Sequence, residues 1–220
     1  MGKYKAFVFD LNGTMIDDME YHSIAWFNIL NNDLKAGLTR EEVKSHMYGK
    51  NEELLDRIFG KGHFTPAEVE AISRKKETNY QEAFRPHLRL IEGLSELLEK
   101  ADRQGILMAI GSAAIPFNID FVLDNLDIRR YFRVIVSANE VVISKPDPET
   151  FVKAAEGLGV DPAECVVFED APKGVEAALR AGMKSIVLTT MHDKSEFLSF
   201  PNVLGYIADY RDPSLAELFL

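Results

Sequence analysis

"ECVVFEDAPKGVEAALRAG", residues 164–182, decides the fold. A short apolar run rich in β-branched and aromatic residues stops at two adjacent acids, Glu169 and Asp170. After Pro172 the pattern turns helical and runs to Gly182. This is a buried strand followed by a helix. The alternation continues outward on both sides. "KSIVLTT" (184–190) reads as the next strand, and "PDPETFVKAAEGLGV" (146–160) as the preceding helix. Further back come "RVIVSA" (133–138) as a strand, "IPFNIDFVLDNLDIRRYF" (115–132) as a helix, "ILMAIGS" (106–112) as a strand and "GLSELLEKADRQG" (93–105) as an amphipathic helix. "KAFVFD" (5–10) supplies a first strand near the N-terminus. Strands alternating with helices imply a doubly wound parallel sheet, an α/β fold covered on both faces. "NVLGYIAD" (202–209) adds an edge strand and "PSLAELFL" (213–220) a last helix.

Between the first strand and this alternating region the texture differs. A helix is expected from Met19 to about residue 31, and two more over 40–59 and 66–84. Thr39 and Glu42 in "LTREEV" form a capping-box candidate, and Pro66 suits a first helical turn. "GKGHFTP" (60–66) is the loop between them. The expected organisation is an α/β core of residues 1–16 and 88–220 carrying an inserted all-helical cap, 17–87. Hinges are expected near 15–18 and 84–88. Cap closure would exclude water and bring cap residues to a substrate.

Composition narrows the function. The chain has 220 residues, is 46% hydrophobic and carries a formal charge of -10. That balance argues against nucleic acid and anionic membranes as partners. Cys165 is the only cysteine, so no internal disulfide forms and a reducing cytoplasm is the expected location. It precedes a buried strand and reads as an inert packed thiol. The N-terminus lacks an apolar signal region, and no stretch is long enough to span a membrane. A monomer is expected.

In doubly wound sheets ligands sit beyond the carboxyl ends of the strands. Those ends carry Asp10, Ser112, Lys145 and the pair Glu169–Asp170. Together they are a coherent set for phosphoryl chemistry. Several acids at one rim repel each other unless a cation sits among them, and hard oxygen ligands suit Mg²⁺. Lys145 neutralises further charge. Ser112 and backbone N–H groups near Gly13 can hold phosphoryl oxygens. Asp10 can then act as nucleophile through an aspartyl-phosphate.

These segments resemble the haloacid dehalogenase superfamily, in its β-phosphoglucomutase-like group with a helical cap. "DLNGT" (10–14), "GSA" (111–113), "SKPDP" (144–148) and "FEDAPKGVEAALRAGM" (168–183) resemble its four motifs, and "EYHSIAW" (20–26) and "KKETNY" (75–80) resemble its cap. The resemblance implies a Mg²⁺-dependent enzyme acting on a small phosphorylated metabolite. Asp10 matches the nucleophile and a metal ligand. Position 12 matches the acid/base, which also binds the metal through its carbonyl. Thr14, Ser112 and Ala113 match phosphate-binding positions, Lys145 the charge-neutralising lysine, and Glu169 and Asp170 metal-site acids. His22 and Lys76 match cap residues that face the substrate or order the acid/base.

Position 12 is Asn, which departs from that pattern. Its carbonyl can still hold a metal, but its side chain cannot exchange a proton. Positioned acid/base catalysis is worth about 10²- to 10⁴-fold. Three readings stay open: a slow or leaving-group-selective phosphatase, a proton supplied by another group such as His22, or a position altered to slow turnover. Ala114, Ile115 and Pro116 replace polar residues of the mutases after Ser112, and Glu52 in "YGKNEE" (48–53) stands where a mutase carries a phosphate-clamping Arg. Lys50 replaces a bidentate fork only in part. Phosphatase is therefore the expected activity. A sugar-phosphate mutase and a phosphate-binding protein with vestigial catalysis are the rivals.

Overall fold

A computed structural model of the chain describes residues 3–220. Six strands, β1 (Ala6–Phe9), β2 (Leu107–Gly111), β3 (Val134–Val136), β4 (Cys165–Glu169), β5 (Lys184–Leu188) and β6 (Val203–Ile207), form one sheet in the order β3-β2-β1-β4-β5-β6. Every neighbouring pair is parallel. β1 lies inside the sheet, with Ala6 opposite Leu107 on one side and Cys165 on the other. The expected α/β architecture is therefore present, including the edge strand β6.

Alternation along the strands sorts side chains by size. Ala6, Val8, Ala109, Cys165 and Val167 share one buried cluster with Phe151, Ala154, Ala177 and Ala178 from the helices α7 (Glu149–Leu158) and α8 (Pro172–Arg180). Small residues there let the helices approach closely. Gly157 shows how closely, since a Cβ on it would lie 2.9 Å from Val134. Phe7, Phe9 and Phe168 take the opposite face, where the rings of Phe9 and Phe168 stack 4.7 Å apart and Phe219 meets Phe7 edge-on. α5 (Leu94–Arg103) packs beside β2, and α6 (Pro116–Asn125) follows β2 in the chain. The last helix is a 3₁₀ segment, Pro213–Phe219. Cys165 is buried, which pushes its thiol up to about 12 and leaves it unreactive.

The chain divides into two compact units. The α/β unit runs to Asp17 and resumes at Arg89–Leu220; the second spans Asp18–Leu88 and is helical. Its helices are α1 (Met19–Asn28), which widens into a π-helical turn at Ile29–Asp33, then α2 (Arg40–His46), α3 (Asn51–Phe59) and α4 (Pro66–Phe84). The single helix expected over 40–59 is in fact two. Gly49 takes a left-handed φ of 72° between them, a conformation only glycine adopts freely. Thr39 and Glu42 form the expected capping box, and Thr65 with Glu68 forms a second one. Trp26, Leu30, Val43, Leu54 and Leu55 make the core of this unit. Among the described residues, no helix is long and apolar enough to cross a membrane.

Candidate active site

Asp10 follows β1 directly, and its N–H donates to the Phe168 carbonyl of β4 at 3.0 Å. The bond continues the sheet ladder by one residue, so the Asp10 side chain leaves from a rigid point. Lys145, reached by the loop after β3, bridges two acids. Its Nζ lies 2.6 Å from Asp10 Oδ1 and 2.8 Å from Glu169 Oε1. Burial alone would depress this ammonium; the two carboxylates more than offset that and raise it above its ordinary value.

Glu169 is fully engaged. One oxygen takes Lys145, and the other accepts the N–H groups of Asp170 at 2.9 Å and Ala171 at 2.8 Å, just before α8 begins. Gly174 makes room for it, because a Cβ there would sit 1.8 Å from Glu169 Oε1. Asp170 has a different environment. Its Oδ1 accepts the Thr14 hydroxyl at 3.2 Å. Burial, then the charges of Glu169 and Asp10, push its carboxyl well above the usual range. Three buried carboxylates face one ammonium. Such an excess of negative charge suits a hard cation held by Asp10, Asp170 and a backbone carbonyl. Among the described residues no three acidic, His or Cys side chains form a ready metal cage, in keeping with Lys145 standing between Asp10 and Glu169.

The remaining expected residues of this unit lie on the same loops. Ser112 follows β2, is buried, and its Oγ accepts the Ala114 N–H at 3.1 Å. Ala113 is half-buried beside it. Gly111 is small for a reason: a Cβ would come within 3.1 Å of the Phe151 ring. Asn12 is half-buried and forms an isolated bridge with Ile16. Gly13 turns the loop with a φ of 74°. Thr14, expected as a phosphate-holding hydroxyl, faces Asp170 here. It is fully buried and its hydroxyl donates to Asp170.

His22 and Lys76 lie in the helical unit, on α1 and α4, and meet there. Lys76 Nζ approaches His22 Nδ1 to 2.6 Å and Glu77 Oε2 to 2.9 Å. An ammonium only donates, so Nδ1 accepts and the ring proton sits on Nε2, 3.3 Å from Asp18 Oδ2. The Tyr80 hydroxyl donates to the same Asp18 oxygen, and the Tyr80 ring stacks on His22 at 3.7 Å. Asn51 donates to Glu77 Oε1 at 2.9 Å. Burial depresses Lys76, with Glu77 opposing. Burial would raise Glu77, but the Lys76 ammonium and the Asn51 hydrogen bond outweigh it and hold the carboxyl at about 2. His46, His63, His87 and His192 show no metal spacing. Asp18, Glu77, Tyr80, Thr190 and Tyr210 were not among the expected site residues. For Asp18 and Tyr80 a signal existed: Asp18 with His22, and Lys76 with Tyr80, are spaced i, i+4.

Comparison with known proteins identifies the family. The family model for haloacid dehalogenase-like hydrolases matches residues 7–188. The chain is 34% identical to a β-phosphoglucomutase of Bacillus subtilis over 83% of its own length and 82% of the relative's. It is 29% identical to a fructose-1-phosphate phosphatase of Escherichia coli, over 84% and 96%. Among solved structures, CbbY from Rhodobacter sphaeroides in complex with xylulose-(1,5)bisphosphate is 25% identical and superposes with a TM-score of 0.83, covering 99% of this chain and 100% of that one. The family-model match over residues 7–188, together with the 34% identity to a β-phosphoglucomutase, makes the chain a hydrolase of the haloacid dehalogenase-like family, in its β-phosphoglucomutase-like branch.

Proposed function

We propose that the protein is a Mg²⁺-dependent phosphatase of a small sugar or polyol phosphate, using Asp10 as nucleophile. The observation that carries this reading is the Asp10–Lys145–Glu169 ion-paired triad with Asp170 held beside it in an environment that disfavours its charge. In this reading Asp10, Asp170 and the Asn12 carbonyl hold the metal. Glu169 does not need to ligate it, since its role is to hold Lys145 and the start of α8. The metal would supply charge neutralisation for an incoming phosphoryl group. Lys145 orients Asp10 and offers an ammonium to the phosphoryl oxygens. Ser112 and the N–H groups near Ala113 and Gly13 bind the remaining oxygens. The Asp10 carboxylate attacks phosphorus and the P–O bond to the substrate breaks, the leaving oxygen taking its proton from water because Asn12 has none to give; a second water then cleaves the acyl phosphate, releasing phosphate and restoring the Asp10 carboxylate.

The named activities of the relatives, fructose-1-phosphate phosphatase and hexitol phosphatase among them, support a sugar or polyol phosphate. Hydrolysis is favoured over mutase chemistry by the segment 48–53. It offers one ammonium, Lys50, against the carboxylates of Glu52 and Glu53, and Glu53 is already spent on the Lys50 N–H. The helical unit is the cap of this reading, and His22 with Lys76 is its polar centre. The site's proton traffic is the part that Asn12 restricts.

A phosphate-release assay with Mg²⁺, run on the protein and on Asn12→Asp, tests this. With hexose phosphates the Asp form should gain roughly 10²- to 10⁴-fold in kcat, while with aryl or acyl phosphates, whose leaving groups need no proton, the gain should be small. Asp10→Ala should abolish release in both backgrounds. Turnover surviving in Asp10→Ala would remove the proposed nucleophile.

A further inference from the structure

The loop that follows Asp10 is held from outside itself at three consecutive carbonyls. Thr190 Oγ1 donates to the Gly13 carbonyl at 2.6 Å, the Tyr210 hydroxyl to that of Thr14 at 2.9 Å, and the Ile91 N–H to that of Met15 at 2.9 Å. All three donors belong to the α/β unit and come from far along the chain: the segment before α5, the end of β5 and the end of β6.

Tyr210 does more than the other two. Its own N–H donates to the Glu92 carbonyl at 2.9 Å, so one residue ties the nucleophile loop to the strand of chain that returns from the helical unit. Beside it Gly93 takes a φ of 83°, and a Cβ there would lie 2.7 Å from the Arg211 nitrogen and the Tyr210 carbonyl carbon. Only glycine permits that approach. The Tyr210 ring packs against Phe9 at 6.4 Å and Phe168 at 5.7 Å, the residues just before Asp10 and Glu169. It is fully enclosed, and its hydroxyl reaches Thr14, whose side chain in turn donates to Asp170.

We infer that Tyr210, seconded by Thr190, is a positioning residue for the phosphoryl-transfer site. It acts through Thr14. By fixing the Thr14 carbonyl it sets where the Thr14 hydroxyl meets Asp170, and so the relation between the Asp10 loop and the acid at the end of β4. It touches neither substrate nor reacting atoms. What it positions rests on the phosphatase reading above; that it clamps the loop does not.

The test compares the protein with Tyr210→Phe and Thr190→Val, with Asp10→Asn as the inactive control. Amide hydrogen exchange is followed at residues 13–16, Mg²⁺ binding by calorimetry, and turnover with p-nitrophenyl phosphate. In Tyr210→Phe, exchange at Met15 and Ile16 should speed up roughly tenfold, the effect of one lost buried hydrogen bond. Mg²⁺ should bind more weakly, and kcat should fall roughly ten- to hundredfold with little change in KM. Unchanged exchange overturns the clamp. Faster exchange with unaltered Mg²⁺ binding and kcat overturns the positioning role and leaves an ordinary packing contact. If the unaltered protein turns over no faster than Asp10→Asn, the phosphatase reading fails, and exchange and calorimetry alone judge Tyr210. If Tyr210→Phe does not fold, Thr190→Val must show the same pattern, and unaltered exchange and Mg²⁺ binding there overturn the inference.

Discussion

Gly174 is the residue whose replacement should be most out of proportion to its size. It sits inside α8, where alanine is ordinarily better than glycine by about 1 kcal/mol. Here the added methyl would stand 1.8 Å from Glu169 Oε1. Overpacking of this kind costs about 1 to 3 kcal/mol, so Gly174→Ala should lower stability where helix propensity alone says it should raise it. Displaced Glu169 would also release Lys145, so phosphate release should fall with it. Urea unfolding beside the phosphate assay checks both, and a stabilised, fully active variant would contradict the steric account. The residues at the strand ends were legible because the run-out of each strand marks its last residue. Gly174 was not, since nothing local says that a side chain five positions earlier folds back over it. Thr190 and Tyr210 were hidden for a similar reason. They reach Gly13 and Thr14 across more than 170 residues of chain, and no periodicity records such a meeting.

Between α1 and α4 the unit of interest is a polar core rather than a single side chain. Glu77 is held at about 2, below its ordinary 4.5. A carboxyl depressed on folding contributes stability above its unfolded value and loses it as the pH falls through the folded one. The window here runs from about pH 4.5 down to about 2, and the contribution is at most about 3 kcal/mol. Trp26, the only tryptophan, lies in this unit with Lys76 Nζ 5.3 Å from its ring, so its fluorescence reports on the cluster. The difference in urea midpoint between the protein and Glu77→Gln, read at Trp26, should shrink steadily across that window. A gap that stays constant down to pH 2 would mean that Glu77 carries no such charge-dependent stability. Helix α4 was legible to the residue, because Pro66 marks its first turn. The break between α2 and α3 was not. A run of residues compatible with helix conceals a turn whose only mark is Gly49.

Across the whole molecule, charge and stability pull apart at the sheet rim. Asp170 is kept in surroundings that oppose its ionisation. Asp170→Asn should therefore raise the melting temperature of the metal-free protein while abolishing its response to Mg²⁺. The unaltered protein should gain about 2.7 kcal/mol at a free Mg²⁺ concentration near one hundred times the dissociation constant. Melting curves with and without the ion check both signs; a variant that still responds to Mg²⁺ would take Asp170 out of the metal site. The topology has a consequence at the moment of synthesis. β1 is made before the other five strands of the sheet, yet its neighbours begin at residues 107 and 165. While the ribosome is still producing the helical unit, whose core draws on residues 26–72 alone, the apolar segment 6–9 waits without a partner. Long-range parallel pairing of this sort is slow and exposed to aggregation. Shielding of segment 6–9 until the rest of the sheet arrives should therefore favour productive folding, and a shortage of chaperones should lower the yield of newly made protein before it affects protein already folded.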